Sequence, residues 1–182
     1  MPRCFARSGL VRRAQHRKLA PKELANRARP EPGNPAVTSR ADFRFFHPFR
    51  VRYSEIDGQR VVYNAHYLTF FDTAIFEYYR AIGYDQFRES ETLQEDWHVV
   101  RALVEYRAPL VYDQEFEVAV RVGRMGRTSL TYALAIFPRS EETLLSTGEV
   151  VQVYTDQRNH RPTPIPERVR AMYRAFEPFP EA

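Results

Sequence analysis

The sequence predicts a single α+β domain in which an antiparallel sheet of about five strands wraps one long central helix. Three observations predict it. Large and polar residues alternate through Phe49-Arg-Val-Arg-Tyr-Ser-Glu-Ile56, the two-residue period of a half-buried strand. Tyr67, Leu68, Phe71, Ala74, Ile75, Tyr78, Tyr79 and Ile82 then recur at three- and four-residue steps, which places them on one face of a helix. Four more strand-like stretches follow, separated by Pro109, Gly126 and the Pro138-Arg-Ser-Glu-Glu142 turn. One helix followed by a run of strands is the α+β pattern.

Residues 1–40 stand outside that domain, which occupies 41–182. They hold ten Lys+Arg against two acids, a charge of +8. The whole chain is +4, so residues 41–182 carry −4 and the folded part is mildly acidic. The basic character therefore belongs to the tail and does not mark the domain as a nucleic-acid binder. With Phe5 as its only aromatic residue and a Pro-rich exit from Arg29 to Ala36, the tail has too little apolar surface to fold alone and is expected to be disordered or loosely helical. Its readings stay open: a leader without function, an Arg-rich transit segment, or an arm for nucleic acid or a membrane surface. A secretory signal is not expected, because no apolar run follows the charges. No window of about 20 apolar residues occurs, so no membrane span is expected. The lone Cys4 excludes an intrachain disulfide and Cys-rich zinc clusters, which fits a reducing, cytoplasmic setting.

Within the domain the first strand is expected over 43–56, and Asp57-Gly58 supplies turn chemistry. The helix follows over 64–82 and stops at Gly83, a residue suited to the left-handed position past a helix end. Its first backbone N–H groups, near Asn64 and Ala65, lack intrahelical partners and lie at the positive end of the macrodipole, so they can hold an anion. A polar loop is expected through Ser90–Asp96. Strands follow at Trp97–Arg107, Gln114–Met125, Ser129–Pro138 and Thr143–Thr155. A last helix starts at Pro166, with Glu167 in its first turn.

A lone Asp in a turn is ordinarily an Asx-turn or N-cap residue. Here it belongs to a longer pattern. Tyr53-x-Glu-x-Asp57-x-x-x-Val-Val-Tyr-Asn-Ala-x-Tyr67-Leu, then Phe71-Asp-x-Ala74 and Ile82-Gly-Tyr84, resembles hotdog-fold acyl-CoA thioesterases of the 4-hydroxybenzoyl-CoA thioesterase family. Val104-Glu-Tyr-Arg-Ala-Pro-Leu-Val-Tyr-Asp113, Gly126-Arg-Thr-Ser-Leu130, Thr147-Gly-Glu-Val-Val-Gln-Val-Tyr154 and Arg161-Pro-Thr-Pro-Ile-Pro166 continue the resemblance, in order, over roughly residues 43–176. It implies a hotdog fold and hydrolysis of an acyl-CoA substrate to free acid and CoA, without metal or redox cofactor.

Thioester hydrolysis needs a donor for the charge that grows on the carbonyl oxygen and a nucleophile or base on the other side. The resemblance assigns the donor to the Asn64 backbone N–H, and the acid to Asp57 as nucleophile or general base. The Asn64 side chain is expected to cap the helix, with contact to substrate as the open alternative. Tyr63 and Tyr67 are expected to shape the acyl pocket or the core, and His66 to serve in positioning or lie at the surface. Arg124, Arg127, Thr128 and Ser129 are candidates for contacts to CoA, as are Arg158, His160 and Arg161. Ile75 stands where many relatives carry Arg, so an ion pair from that position is not carried over. Glu77 reads as a structural or solvated helix residue. The five His residues are scattered and form no metal-ligand pattern.

Phe70 and Phe76 add aromatic surface beyond the core stripe of the helix. In the hotdog family the sheets of two subunits join, and the surplus is expected to be covered in a homodimer or homotetramer. Two alternatives stay open. A hotdog hydratase-dehydratase would use Asp57 and His66, although they stand nine residues apart. A non-catalytic acyl-CoA-binding module of a regulator would need a DNA-reading helix-turn-helix, for which the tail lacks two apolar-periodic helices. Neither a nucleic-acid nor a membrane partner is expected.

Overall fold

The computed structural model describes residues 39–180. Six strands and three helices follow in chain order: β1 Phe45–Arg50, α1 His66–Ala81, α2 Gln86–Leu93, β2 Glu95–Tyr106, β3 Glu115–Met125, β4 Ser129–Pro138, β5 Ser146–Asp156, β6 Arg161–Pro162 and α3 Glu167–Phe176. The curled antiparallel sheet has the order β1-β3-β4-β5-β2, with the two-residue β6 paired to the end of β5. The expected hotdog architecture is present: α1 lies on one face of the sheet and buries Tyr67, Phe70, Phe71, Ala74, Ile75, Tyr78 and Tyr79 against it.

Helix and sheet approach closely at Gly148 on β5, where an added Cβ would stand 2.1 Å from Cε2 of the fully buried Phe71. Only a residue without a side chain fits there. The helix ends in a Schellman motif. Gly83 takes φ 79, the Tyr84 N–H donates to the Tyr79 carbonyl (2.8 Å), and the Gly83 N–H donates to that of Arg80 (3.1 Å). The Tyr79 and Tyr84 rings meet 5.2 Å apart, the apolar contact that accompanies this cap.

Helix α3 closes the far end of α1. Its buried Val169 and Tyr173 pack on the core, and the Tyr173 hydroxyl meets that of Tyr132 at 2.6 Å. Just beyond it, the buried Glu177 carboxylate accepts from the Tyr78 hydroxyl (2.5 Å) and from the Val122 N–H (2.9 Å). On the other face of the sheet a smaller cluster joins Phe43, Ala119, Ala133, Ala135 and Phe137. Arg40 lies over the Phe46 ring at 4.3 Å and pairs with Glu117, so this last residue of the expected tail packs on the sheet. The tail reading falls on residues 1–38, outside the described residues.

Several expected elements differ. The first strand is short: after Arg50 the Arg52 N–H donates to the Glu55 carboxylate (2.8 Å) and the chain makes a 3-10 turn over Tyr53–Glu55, a local side-chain bond that outcompetes the ladder. Part of the expected polar loop is helix α2, capped by Asp85, whose carboxylate accepts the Arg88 N–H at 3.1 Å, and tied to α3 by the Glu89–Arg168 ion pair. Helix α1 starts at His66 with Ala65 at its N-cap position and no side-chain cap, so Asn64 does not cap it. The surplus aromatic surface of α1 is covered largely within the chain. Phe70 packs against Phe49 and Phe116 at 5.4 and 5.0 Å, and Phe76 stacks on Phe87 at 6.3 Å.

A run of exposed apolar side chains lies along β2, one of the two edge strands of the sheet. Val99, Val100, Leu103 and Tyr106 are 52, 60, 39 and 49% exposed. A register shift between Val99 and Arg101 leaves Val100 outside the ladder with β5.

Candidate active site

The Asp57 turn is a tight hairpin. The Asp57 N–H donates to the Val61 carbonyl (2.9 Å), the Arg60 N–H to the Asp57 carbonyl (3.0 Å), and the Tyr63 N–H to the Glu55 carbonyl (2.9 Å). Arg60 closes it in the left-handed region, φ 65, a conformation uncommon for a residue with a Cβ. One oxygen of the half-buried Asp57 carboxylate, Oδ1, accepts the Gln59 N–H at 2.7 Å. This is the Asx-turn that the residue type favours. Oδ2 has no hydrogen-bond partner among the described residues. The hairpin docks on the segment after β2, where the Val62 N–H donates to the Leu110 carbonyl at 2.9 Å and Val61 bridges to Val111.

From the hairpin the chain runs straight into α1. Its first bonds are of the i to i+3 kind, from His66 to Tyr63 (2.9 Å), Tyr67 to Asn64 (3.4 Å) and Leu68 to Ala65 (3.2 Å). The amides of Asn64 and Ala65 have no acceptor among the described residues. Two free N–H groups thus stand at the positive end of a 16-residue helix, the arrangement that receives negative charge.

Beside them opens a cleft of about 460 Å³. Asn64 and Tyr67 line it from the helix start, Gln59 and Val61 from the hairpin, and Tyr106 and Arg107 from the end of β2. The Tyr106 hydroxyl donates to the Asn64 carbonyl at 3.1 Å, and the buried Tyr67 hydroxyl accepts the Leu110 N–H at 3.3 Å. Burial raises both phenols above the ordinary tyrosine value, so both stay neutral donors and acceptors at physiological pH.

Of the residues expected at the site, the structure brings together Asp57, Tyr63, Asn64, His66 and Tyr67. Asn64 and Tyr67 line the cleft, and Tyr67 is at the same time a core residue. Tyr63 is 53% exposed with its ring edge-on to His66 at 6.0 Å. Asp57 itself does not line the cleft, but its carboxylate accepts the N–H of Gln59, which does. Arg124, Arg127, Thr128 and Ser129 are not brought there. Arg124 lies near the end of β3, Arg127 and Thr128 in the turn that follows, and Ser129 at the start of β4, at the opposite end of β3 from Glu115, which pairs with Arg50 ahead of the Asp57 hairpin. Their backbone serves the fold: the Thr128 carbonyl accepts the Tyr154 N–H (2.8 Å) and that of Arg127 the Ile165 N–H (2.9 Å). Arg158, His160 and Arg161 lie at the same distant end, and Arg158 pairs with Asp156 at 3.2 Å.

Sequence reasoning missed Gln59, Tyr106 and Arg107. The only signal for the last two was their place just before Ala108-Pro109, where a strand must stop. It also passed over Asp72, which faces a second groove with Leu68, Ile75, Val99 and Ala102. The apolar walls raise the carboxyl of this exposed residue above the ordinary carboxylate value by desolvation.

A family model described as the thioesterase-like superfamily matches residues 51–172. The acyl-CoA thioester hydrolase YbgC of Escherichia coli O6:H1 is 32% identical over 128 residues, 70% of this chain and 93% of that protein. The crystal structure of the PA5185 protein from Pseudomonas aeruginosa superposes with a TM-score of 0.68 at 30% identity, covering 76% of this chain and 95% of that one. The SAV2348 protein from Staphylococcus aureus, solved in complex with CoA, shares the fold at 22% identity with a TM-score of 0.67, covering 74% and 85%.

Proposed function

Because this chain belongs to the thioesterase-like superfamily, we propose that it hydrolyses an acyl-CoA thioester to free carboxylic acid and CoA, with Asp57 as nucleophile or general base. Its standing as a thioester hydrolase is carried by its kinship to YbgC. The observation that supports the residue roles is the juxtaposition in one short segment of a carboxylate with an unengaged oxygen and two unengaged helix-start amides.

In the general-base form, Asp57 Oδ2 takes a proton from water as the oxygen of that water bonds to the thioester carbonyl carbon. The charge that develops on the carbonyl oxygen is met by the Asn64 N–H, a preorganised donor whose loss costs on the order of 10² to 10³ in rate. The C–S bond then breaks, the carbonyl re-forms, and the proton held by Asp57 goes to the departing thiolate. In the nucleophilic form Oδ2 itself bonds to the carbonyl carbon and expels the thiolate, and water cleaves the resulting anhydride. In single-turnover reaction in oxygen-18 water, label in the Asp57 carboxyl marks the nucleophilic form with water attacking the Asp57 side of the anhydride, and trapping of the anhydride by hydroxylamine detects that form when water attacks the acyl side.

The site is further proposed to be completed by a second copy of the chain. A free strand edge with exposed Val99, Val100, Leu103 and Tyr106 is a surface that proteins cover by pairing. Two β2 edges joined antiparallel about a two-fold axis bring the β3–β4 turn of one copy, with Arg124, Arg127, Thr128 and Ser129, toward the Asp57 end of the other. That arrangement supplies CoA contacts in trans that a single chain holds too far away. The SAV2348 complex with CoA, of the same fold, supports acyl-CoA as the substrate class.

The test of the activity is release of free thiol and carboxylic acid in equal amounts from a panel of acyl-CoAs. A hydratase would instead change enoyl absorbance without releasing thiol, and a binding module would release nothing.

A further inference from the structure

We propose that Arg107 is the anion-binding residue of the cleft beside the Asn64 amide and that it holds an anionic group of the substrate. The proposal rests on the acyl-CoA reading above and adds a residue to it. Among the described residues Arg107 is the only charged one that lines this cleft, whose other walls are Val61, Val62, Tyr67, Tyr106, Ala108 and Pro109 with two neutral amides.

The residue is held in place by its backbone. The Arg107 and Ala108 N–H groups both donate to the Leu145 carbonyl, at 2.9 and 3.0 Å. On either side the chain is tied to the helix start, through the Tyr106 hydroxyl to Asn64 and the Leu110 N–H to the Tyr67 hydroxyl. The side chain, by contrast, is exposed and has no carboxylate partner among the described residues. Asp57 forms no ion pair with it, and the acids of the neighbouring strands are engaged elsewhere. Arg50 pairs with both Asp113 and Glu115, Arg139 pairs with Glu115, and Arg101 pairs with Glu149. The Glu105 carboxylate accepts from the Thr147 hydroxyl at 2.8 Å. An unneutralised guanidinium and the positive end of α1 thus face one cleft, and both favour the same kind of group.

A CoA thioester offers that chemistry from two sources: the phosphates of CoA, or a carboxylate on the acyl part. Guanidinium binds either as a planar pair of N–H donors. The substitutions Arg107→Gln and Arg107→Lys are assayed in the full chain with hexanoyl-CoA, glutaryl-CoA, and the hexanoyl and glutaryl thioesters of pantetheine, which carry no phosphate. Loss of one charge-assisted contact at a partly exposed position predicts about a tenfold fall in kcat/KM for Arg107→Gln, mostly through KM, with part of it restored in Arg107→Lys.

A fall with both CoA esters that vanishes with both pantetheine esters assigns the phosphates. A fall confined to the two glutaryl esters assigns the acyl carboxylate. Unchanged kinetics in Arg107→Gln, or an equal fall with the neutral hexanoyl-pantetheine, overturns the proposal. Calorimetric binding of a non-hydrolysable S-hexyl-CoA thioether and an S-(4-carboxybutyl)-CoA thioether is measured alongside, so that a wild type without turnover defeats the hydrolase reading alone. Tenfold weaker binding of at least one thioether by Arg107→Gln still supports the role of Arg107, and equal binding, or none by either protein, removes it.

Discussion

Replacing Gly148 by Ala tests how the helix is seated on the sheet. The new Cβ would lie 2.1, 2.7 and 2.9 Å from three carbons of the Phe71 ring. Carbon atoms in contact prefer about 3.5 Å or more, so the ring has to recede by about 1.4 Å. It has little room to do so, because Phe71 is fully buried under α1 and its neighbours Tyr67, Phe70, Ala74 and Ile75 are buried as well. Overpacking of this kind costs about 1–3 kcal/mol. The smaller unfolded-state entropy of Ala offsets about 0.4–1 kcal/mol of that. A net loss of about 1–2 kcal/mol corresponds to a fall in melting temperature of roughly 3–8 °C for a domain of this length. The assay is denaturant unfolding of the wild type, Gly148→Ala, Phe71→Leu and the double variant. The clash predicts that the two substitutions couple, so that the double variant is more stable than the sum of the single effects implies. A Gly148→Ala protein within about 0.5 kcal/mol of wild type, with no coupling to Phe71→Leu, would refute the close approach.

Three further outcomes follow from the structure. Burial raises the Glu177 carboxyl above the ordinary glutamate value despite the hydrogen bonds from Tyr78 and Val122; the native state therefore holds this proton more tightly, and its contribution to stability is full below the ordinary glutamate value and is lost as pH rises through the raised one. Melting temperature measured from pH 4 upward should fall more for wild type than for Glu177→Gln, and parallel curves would count against the buried carboxyl. Removal of residues 1–38 should leave melting temperature and activity unchanged, whereas removal of 1–44 takes away the Arg40–Glu117 pair and the buried Phe43 and should lower the melting temperature by several degrees, since large-to-small losses of a buried Phe cost about 3–5 kcal/mol. For the assembly, Val100→Lys or Leu103→Asp on the β2 edge should yield a monomer by light scattering with activity per chain reduced at least tenfold; a fully active monomer would contradict a site shared between two copies.

Much of the fold was legible because its signals are local. Gly126 and the Pro138-Arg-Ser turn punctuate β4 so clearly that its expected and observed limits coincide at Ser129–Pro138, and Gly83 stops α1 by its own backbone freedom. Helix α2 was not legible, since its polar sequence has no apolar stripe and it is held by Asp85 at its start and Arg168 from α3. The cover over Phe70 and Phe76 was equally hidden, because Phe116 and Phe87 reach them through tertiary packing that periodicity does not encode. At the site, the Asp57-Gly58 turn and the helix start announced themselves by residue type. Arg107 did not, because it becomes a cleft residue only when Leu145 and Tyr67 fix the chain around it.

The central claim is that the Asp57 carboxylate carries the chemistry, and Asp57→Asn measures it most directly. Asn keeps the size of the side chain and an oxygen that can accept the Gln59 N–H, so the Asx-turn survives, but it loses the charge and the basicity. The account predicts that kcat for acyl-CoA hydrolysis falls by about 10² or more, while the melting temperature and the oligomeric state match wild type. Retention of more than about a tenth of wild-type kcat by a correctly folded Asp57→Asn protein would contradict it.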